Sequence, residues 1–381
     1  MPVAHVLTYR LAWLAPPVCS PIVEPSELRR EFPVLADLAY LNAGTDGPLP
    51  EGAVRAAAAE LEREARDGRA MSHFERRKEL AAELRAAYAK LLGCQARELA
   101  LTTCTSEGMA QVIEGLELGP GDEILTSDEE HPGLLGALGA ARALRGVSVR
   151  AVPLARIAEA LAPNTRLVAC CHVGWMSGSF APPELAEAPV PVLFDGAQGV
   201  GAVPVDVKAL GCDAYAGAGQ KWLCGPDGTG MLYVREELLA GLSAHRRGYA
   251  NLADPNAGLD AVPHADSQRF DAMSLSAETL ACALASVSVL ERFGFAAVHA
   301  RARALAGRLV ELLGERGRPV APRGESTLVS FASPDPEAER ERLAAAGVIL
   351  RNIPDRPWLR ASVGAWNDEH DLDRLLTALD R

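Results

Sequence analysis

Lysine is rare in this chain, and one of its lysines lies in a glycine-rich stretch where a reactive amine could work. The 381 residues include 38 lysines and arginines, and the lysines among them are only Lys78, Lys90, Lys208 and Lys221. Lys221 lies in AGAGQKWLCGPDGTG, residues 216–230, between small residues and a turn. Arginine cannot form an imine, whereas a desolvated lysine amine can attack a carbonyl carbon. Lys221 is therefore the first candidate for covalent chemistry.

Other polar side chains follow apolar runs that predict buried strands. Thr105 and Ser106 follow ALTT at the start of a helical stretch, where hydroxyls and free backbone amides suit a phosphate. Asp195 and Gln198 follow the run VLF, and His131 follows DEILTSDEE and precedes a proline. Each residue alone has a plainer interpretation: a serine helix cap, an aspartate helix cap or a structural histidine.

Together these residues describe a binding site for a phosphorylated pyridine aldehyde. The hydroxyls and amides would hold the phosphate, and the carboxylate would bind the ring nitrogen. The imidazole would stack on the ring face, and the lysine would bind the aldehyde carbon. A carboxylate beside the pyridine nitrogen keeps that nitrogen protonated, which makes the ring an electron sink. Along the chain, the hydroxyl residues Thr105 and Ser106 come first, followed by His131, Asp195 and Lys221. Whole strand–helix units separate them, which argues against a chance arrangement.

The alternation of short apolar runs with longer alanine-, leucine- and charge-rich segments predicts an α/β fold. Strands are expected in RELALTT, DEILTS, TRLVACCHV, VPVLFDG, CDAYAGA and GTGMLYV. Runs that are apolar throughout are typical of a mostly parallel central sheet covered by helices on both faces. Ligands of such sheets bind beyond the carboxyl ends of the strands. From about residue 275, two strand-like pieces flank the helical stretch PEAERERLAAAG, which predicts a smaller α+β C-terminal domain.

Charge, cysteine pattern and motif context exclude several classes. The net charge of −12 supports binding neither to nucleic acid nor to an anionic membrane surface, and no apolar run is long enough for a membrane span. The eight cysteines form no CxxC pair, which favours reduced thiols in a cytoplasmic protein over a metal site. No GxGxxG follows an early strand, which argues against a nicotinamide-dependent dehydrogenase. The opening residues are interpreted as an extension rather than a secretory signal.

The sequence resembles the class V branch of the fold-type I pyridoxal 5'-phosphate (PLP) enzymes, which contains cysteine desulfurases, isopenicillin N epimerase-like enzymes and ergothioneine-pathway C–S lyases. The resemblance runs from YLNAGTDGPLP to LRASVGAWNDEHDLDRLL, and its most specific parts are HVGWMSG and FDGAQGVGAVPVDVKALGCDAYAGAGQKWLCGPDGTGMLYV. It implies a fold-type I PLP-dependent transferase fold and a homodimer with shared active sites. The expected organisation is an N-terminal segment over residues 1–40, a large PLP-binding domain over 41–270 and a small C-terminal domain over 271–381.

The same resemblance assigns roles to residues at matching positions. Lys221 would form the Schiff base with PLP, and His131 would stack on the ring, so these two are the predicted catalytic residues. The other cofactor-binding residues would be Thr105, Ser106, Asp195, Gln198, Gln220 and, supplied by the second subunit, Ser274. The substrate would be an amino acid whose α-carboxylate pairs with Arg360, near Asn42 and beside a wall formed by Trp175.

Several positions depart from the desulfurase pattern. Gln220 stands where desulfurases have a histidine, Ala218 where they have a hydroxyl residue, and Trp175 where they have an asparagine. A tryptophan suits an apolar or aromatic part of a substrate. Desulfurases also need a mobile cysteine ahead of the carboxylate-binding arginine, and residues 349–360, ILRNIPDRPWLR, contain none. Because Cys224 is better interpreted as a packing residue, a desulfurase that forms a persulfide on its own cysteine is disfavoured.

The implied activity is that of a PLP-dependent enzyme in which the Lys221 amine removes the α-proton of an amino acid. The first expectation is β-elimination from a cysteine-derived substrate, a C–S lyase reaction. The alternatives are a class V aminotransferase and an amino-acid epimerase. A further alternative is a binding protein that keeps the fold without catalysis.

Overall fold

A computed structural model of the chain describes residues 25–380, and the structural statements below refer to this part. The strands are β1 (Ala39–Tyr40), β2 (Leu99–Thr102), β3 (Glu123–Ser127), β4 (Ser148–Val152), β5 (Thr165–Cys171), β6 (Val192–Asp195), β7 (Ala214–Ala218), β8 (Gly230–Val234), β9 (Leu328–Ala332), β10 (Val348–Ile349), β11 (Arg351–Ile353) and β12 (Trp358–Ser362). The helices are α1 (Pro25–Arg30), α2 (Glu51–Asp67), α3 (Met71–Leu92), α4 (Thr105–Gly115), α5 (Pro132–Arg145), α6 (Glu236–Leu239), α7 (Ala277–Phe293), α8 (Phe295–Glu315), α9 (Pro336–Ala345) and α10 (Glu369–Leu379).

Seven of the strands form the central sheet, in the spatial order β2-β8-β7-β6-β5-β3-β4. The pairs from β4 to β7 are parallel, and only β8 runs against its neighbours β7 and β2. Because strand side chains alternate between faces, β5 supplies Val168 and Cys170 to one hydrophobic core and Leu167 and Ala169 to another. The predicted α/β fold with a mostly parallel sheet, covered on both faces, is confirmed.

A third hydrophobic core lies around a three-stranded antiparallel sheet of order β11-β12-β9. Helices α8 and α9 pack against these strands, and α10 packs against α8, α9 and the short strands β1 and β10. The short β1 pairs with β10 in parallel, so a segment near the start of the chain joins this C-terminal unit. Its buried side chains include Ala39, Leu41, Leu309, Phe331, Leu359 and Leu375.

Helices α7 and α8 meet at Gly294, whose φ of 78° permits a sharp bend. α7 packs against α2 and α3 beside the large sheet, whereas α8 packs against β9 and α10. Within residues 25–380 no single helix is long and apolar enough to cross a membrane, and only this pair, bent by 80°, meets the length and composition requirement when taken together. The predicted division at residues 40 and 270 stays a prediction, and its first 24 residues lie outside the described part.

A buried carboxylate ties α1 to the C-terminal unit. Asp371, in the first turn of α10, is fully buried and accepts hydrogen bonds from Arg29 Nη1 at 2.7 Å and Asn367 Nδ2 at 2.8 Å. Its backbone amide in turn donates to Asp368 Oδ1 at 3.1 Å, which caps the helix. The segment that leads into β1 is thereby attached to the end of the chain.

Replacing Asp371 with alanine should lower the free energy of unfolding by about 3 kcal/mol, since Arg29 loses its buried, bidentate carboxylate partner and keeps only the partly exposed Asp368. Urea denaturation followed by circular dichroism measures the change. The matched control is Asp373→Ala on the exposed face of the same helix, which should change stability by less than about 0.5 kcal/mol. Equal losses in both variants would contradict the role given to Asp371.

Candidate active site

The predicted site residues gather at one edge of the central sheet. Because β2 and β7 are both antiparallel to β8, they run in the same direction as each other and as β3, β5 and β6. The carboxyl ends of all these strands therefore lie at the same edge. Thr105 and Ser106 follow β2, His131 follows β3, Asp195 ends β6 and Lys221 follows β7.

Lys221 lies in this cleft as a partly exposed residue whose amine is surrounded by protein. Burial lowers the pKa of the amine, the nearby Asp195 carboxylate opposes that effect, and the Arg360 guanidinium adds to it. A lowered pKa increases the fraction of free amine, the form that attacks carbonyls and accepts protons. The backbone next to Lys221 is held by the loop that contains Gly47, because Gly47 N donates to Gln220 O at 2.7 Å.

Two buried carboxyl groups lie beneath the cleft. Asp195 Oδ1 accepts the Ala197 amide at 2.9 Å, and burial raises the pKa of Asp195 against the opposing effect of Lys221. Glu130 accepts hydrogen bonds from the Ser127 hydroxyl and, at 2.9 Å, from the backbone amide of Cys171. Burial, reinforced by the negative charge of Asp195, raises the pKa of Glu130 to about 8, so this group is neutral at pH 7.

His131 lies against an aromatic wall at the entrance of α5. Its Nδ1 accepts the Gly133 amide at 3.1 Å, which leaves the proton on Nε2. The ring meets Trp175 edge-on, with centroids 5.3 Å apart. Burial and the cations Lys221 and Arg351 lower the pKa of His131 to about 4, so the imidazole is neutral. Ser106 lies next to His131, because its hydroxyl contacts the neighbouring Gly133: a Cβ added to Gly133 would lie only 2.1 Å from Ser106 Oγ.

Arg360 is fully buried at the other side of the cleft. Its Nη1 donates to Trp175 O at 2.7 Å, and its Nη2 lies 3.4 Å from Thr45 Oγ1. Burial and the neighbouring Arg351 lower the pKa of Arg360 to about 9, which still leaves the group charged at neutral pH. A buried charge without a carboxylate partner is costly unless a ligand supplies one.

Gln198 is occupied by protein contacts on both sides of its amide. Nε2 donates to Gly44 O at 2.7 Å, and Oε1 accepts the Trp222 indole N–H at 3.0 Å. Gly44 leaves no room for a side chain, because a Cβ there would lie 2.9 Å from Arg360 Nη2 and 3.0 Å from Gln198 Oε1. Gln198 therefore connects the end of β6 to the loop that borders Arg360, and its predicted contact with the cofactor ring stays a prediction.

Several buried polar atoms of the cleft have no hydrogen-bond partner among the described residues. Such atoms are normally paired, so a cluster of unpaired ones indicates the place of a ligand. A hydroxyl beside the start of α4 fits a phosphate, and a guanidinium nitrogen and an amide oxygen fit an amino acid. The atoms are Asn42 Oδ1, Thr105 Oγ1, Trp175 Nε1, Gln220 Oε1 and Arg360 Nε.

Ser274 is not brought to this cleft by any described contact within the chain. It is exposed, in the segment between Phe270 and α7, and its neighbour Met273 is 55% exposed. The structure thus places ten of the predicted residues around one cleft and Ser274 on the outer surface. Among the described residues, no group of three or more histidine, cysteine, aspartate or glutamate side chains is arranged to hold a metal ion.

Sequence reasoning missed Arg351, which lies directly opposite Arg360 in the β11–β12 hairpin. Its guanidinium carbon is 5.4 Å from the centroid of the Trp175 ring, within the range of a cation–π contact. Like charges at opposed strand positions are destabilising, so two arginines there indicate an anionic ligand. The signal in the sequence is RNIPDRPWLR, in which a Pro-containing turn separates two short strand-like pieces, each with an arginine.

Comparison with known proteins identifies the family. The profile described as aminotransferase class-V matches residues 39–375, nearly the whole described chain. This chain belongs to that family. The expectations of a class V, fold-type I, PLP-dependent enzyme are confirmed, and the site residues named above fit PLP through a lysine amine, a buried carboxylate and an unpaired hydroxyl at a helix start.

Individual relatives of this class V enzyme carry different activities. Isopenicillin N epimerase of Streptomyces clavuligerus is 29% identical over 386 residues, covering 89% of this chain and 94% of the epimerase. A probable cysteine desulfurase of Pseudomonas aeruginosa is 30% identical over 313 residues, covering 74% of this chain and 78% of that protein.

Two similar solved structures are of C-DES. One is a mutant with glycine covalently linked to the PLP cofactor, with a TM-score of 0.87 and 29% identity, covering 92% of this chain and 98% of that one. The other is the complex of this cystine C–S lyase with its reaction product cysteine persulfide, with a TM-score of 0.86 and 30% identity, covering 91% and 98%.

Replacing Glu130 with glutamine should stabilise the protein increasingly, relative to the unaltered chain, between pH 4.5 and about 8. The unfolded chain releases the Glu130 proton at the ordinary glutamate pKa, whereas the folded protein retains it up to about pH 8. Folding of the unaltered chain therefore weakens as the pH rises through this window, by at most about 1.4 kcal/mol per pH unit. Urea denaturation of both proteins at several pH values measures the difference.

The exposed Glu184, replaced in the same way, controls for the loss of one carboxylate. A difference between Glu130→Gln and the unaltered chain that stays constant with pH would mean that Glu130 is ionised in the folded protein.

Proposed function

We propose that this class V enzyme is a C–S lyase that eliminates the sulfur-bearing group from Cβ of a cysteine-derived amino acid. The observation that carries the proposal is the pair of opposed arginines, Arg351 and Arg360, beside the Trp175 wall. One guanidinium suits the α-carboxylate of the substrate, and the other suits an anionic group on the part that leaves. A cystine-like substrate has both groups, and cystine is the substrate named for C-DES.

The chain's own cysteines support this reaction over a desulfurase that stores sulfur on the protein. Residues 349–360 contain no cysteine. Cys224 is completely buried, and burial raises its thiol pKa well above the usual range. Cys104 lies beside Thr105, at the phosphate end of the site rather than at the Arg360 end. Sulfur therefore has to leave on the substrate's own fragment, as a thiol or persulfide.

The residues of the cleft divide the binding of PLP among them. Lys221 would hold the aldehyde carbon, Asp195 the pyridine nitrogen, and Thr105 and Ser106 the phosphate at the start of α4. The neutral ring of His131 would cover one face of the cofactor. Gln220 would lie at the phosphate edge, where its amide nitrogen could donate to a phosphate oxygen. When bound, PLP supplies an electron-withdrawing ring that weakens the bonds to the substrate Cα.

Elimination breaks the Cα–H and Cβ–S bonds. Once released from the aldehyde carbon, Lys221 Nζ would take the Cα proton, a role that the lowered pKa of the amine favours. The electrons of the Cβ–S bond leave with the sulfur, and the remaining three-carbon unit is hydrolysed to pyruvate and ammonia. Arg360 and Asn42 hold the α-carboxylate, so that the Cα–H bond keeps one direction relative to Lys221.

Epimerisation is the second candidate, because the epimerase relative matches over 94% of its own length. It would begin with the same proton removal and end with return of a proton to the other face of Cα. The two reactions differ in their products, since elimination releases pyruvate and epimerisation leaves the amino acid intact with its configuration changed.

We also propose a cytoplasmic homodimer in which Ser274 reaches the phosphate site of the partner subunit. Two facts support this arrangement: Ser274 is exposed, and no described contact joins it to the cleft of its own chain. The seven described cysteines are all free, which fits a reducing compartment.

Purified protein loaded with PLP should release pyruvate from cystine or related cysteine S-conjugates, and Lys221→Ala should abolish the release while leaving the circular dichroism spectrum unchanged. Coupled reduction by lactate dehydrogenase measures the pyruvate. Absence of pyruvate, together with Cα deuterium exchange from heavy water and appearance of the D-isomer, would replace elimination by epimerisation. Pyruvate release that persists in Lys221→Ala would refute the catalytic role of the lysine.

Arg351→Met should raise the KM for cystine roughly ten- to a hundredfold, corresponding to the loss of one charge-assisted hydrogen-bonded contact. For S-methylcysteine, whose leaving group is neutral, the KM should change little. Arg356→Met, at an exposed position in the turn of the same hairpin, is the matched control. Equal effects on both substrates would exclude a contact between Arg351 and the leaving group.

A further inference from the structure

We propose that the buried ion pair of Arg85 and Asp271 is a positioning element for the cofactor phosphate. It holds the strand that leads to Thr105 and Ser106 and, at the same time, the segment that presents Ser274 to the partner subunit. The inference rests on the proposed function of these three residues as phosphate ligands. Neither member of the pair touches the cofactor itself.

The pair is bidentate and almost entirely enclosed. Arg85, on α3, donates from Nη1 to Asp271 Oδ1 at 2.9 Å and from Nη2 to Oδ2 at 2.7 Å. The two side chains are 8% and 12% exposed. A buried pair of this kind costs desolvation that a pair of apolar side chains would avoid, so its presence favours a requirement for defined geometry.

The first segment that the pair holds is β2, the edge strand of the central sheet. Asp271 Oδ1 accepts the Leu101 amide at 2.9 Å, and Arg85 Nη1 also donates to Leu99 O at 2.8 Å. Next to the carboxylate, Ala272 N donates to Leu101 O at 2.7 Å. The free edge of β2 is thus covered by the 271–272 segment just before the chain turns into the hydroxyl-bearing start of α4.

The second segment is the surface stretch around Ser274. Phe270 O accepts Gln111 Nε2 from α4 at 2.9 Å, and Leu275 O accepts Arg77 Nε from α3 at 2.9 Å. Met273 and Ser274 are exposed between these two anchors. Asp271 lies inside the anchored segment, so a change in the geometry of its pair with Arg85 shifts the base of the exposed tip as well as β2.

Through this pair, one chain links its contribution to its own phosphate site, Thr105 and Ser106, with its contribution to the partner's phosphate site, Ser274. A carboxylate that moves away from Leu101 displaces the hydroxyl cradle of its own subunit, and the same movement displaces the tip offered to the other subunit. The expected signature is a loss of binding that depends on the phosphate group of the cofactor. The rest of the site, with Lys221 and Asp195, lies on β6 and after β7 and is not attached to this pair.

The test compares binding of PLP with binding of pyridoxal, which lacks the phosphate, to the cofactor-free enzyme, by titration of the cofactor absorption band. Asp271→Asn should weaken PLP binding by about tenfold or more, the effect of a disturbed charge-assisted contact, and pyridoxal binding by less than about twofold. Glu123→Gln is the matched control, since Glu123 forms an equally bidentate pair with Arg150 at the other end of the sheet, both contacts being 2.8 Å.

The proposal would be overturned, in favour of a purely structural pair, if Asp271→Asn weakened the binding of PLP and of pyridoxal equally. It would also be overturned if Glu123→Gln weakened PLP binding more than pyridoxal binding to the same degree as Asp271→Asn. The double variant Arg85→Met, Asp271→Leu removes both charges together, so that neither is left buried and unpaired. It should stay folded, with a lower melting temperature because the Leu101 amide loses its acceptor, and it should lose the preference for PLP over pyridoxal. In a Ser274→Ala background the effect of Asp271→Asn should shrink, and full additivity would overturn the link to the Ser274 tip. Cofactor binding needs no turnover, so the absence of lyase activity would leave this test intact.

Discussion

The close contact of the loop at residues 42–47 with the Lys221 backbone sets the geometry of the whole cleft. A Cβ on Gly47 would lie 2.0 Å from Lys221 O, so the loop touches the lysine segment backbone to backbone. On its other side the same loop is attached to β12, because Asn42 forms a bridge with Ser362, and Ser362 N donates to Leu41 O at 2.7 Å. The distance between the amine on the large sheet and the guanidinium on the small sheet is therefore fixed by one short, glycine-containing connection.

The cleft carries positive charges although the protein as a whole is negatively charged. The chain carries a net charge of −12, yet Lys221, Arg351 and Arg360 lie near one another in a single site. Two carboxylates lie near them: Asp195, at the end of β6, near Lys221, and Asp46 near both Lys221 and Arg351. Low-dielectric walls strengthen such fields, so an anionic substrate is drawn into the site although the surface as a whole is acidic.

Much of this site could be predicted from local sequence, because parallel strands bring their carboxyl ends together. Lys221, Asp195, His131 and Thr105 each follow an apolar run, and the fold converts that pattern into proximity. Arg351 could not be found in this way, since its place depends on the register of a hairpin that pairs it with Arg360. Burial decides the state of Glu130, and sequence does not show how deeply a carboxyl group will lie. The occupied amide of Gln198 likewise depends on a loop more than 150 residues away.

The register of the β11–β12 hairpin has a consequence for the size of acceptable substrates. Residues directly opposed in an antiparallel pair have Cα atoms about 4.5–5.5 Å apart, so the two guanidinium groups start from a fixed separation on one rigid support. Any motion of the β11–β12 hairpin as a unit moves both arginines together and leaves the separation of their Cα atoms unchanged. For the proposed cystine-like substrate, the site would then discriminate ligands by the chain length between their two acidic groups rather than by their bulk. Lengthening that chain by one or two methylenes must be absorbed by the flexible Arg351 side chain alone.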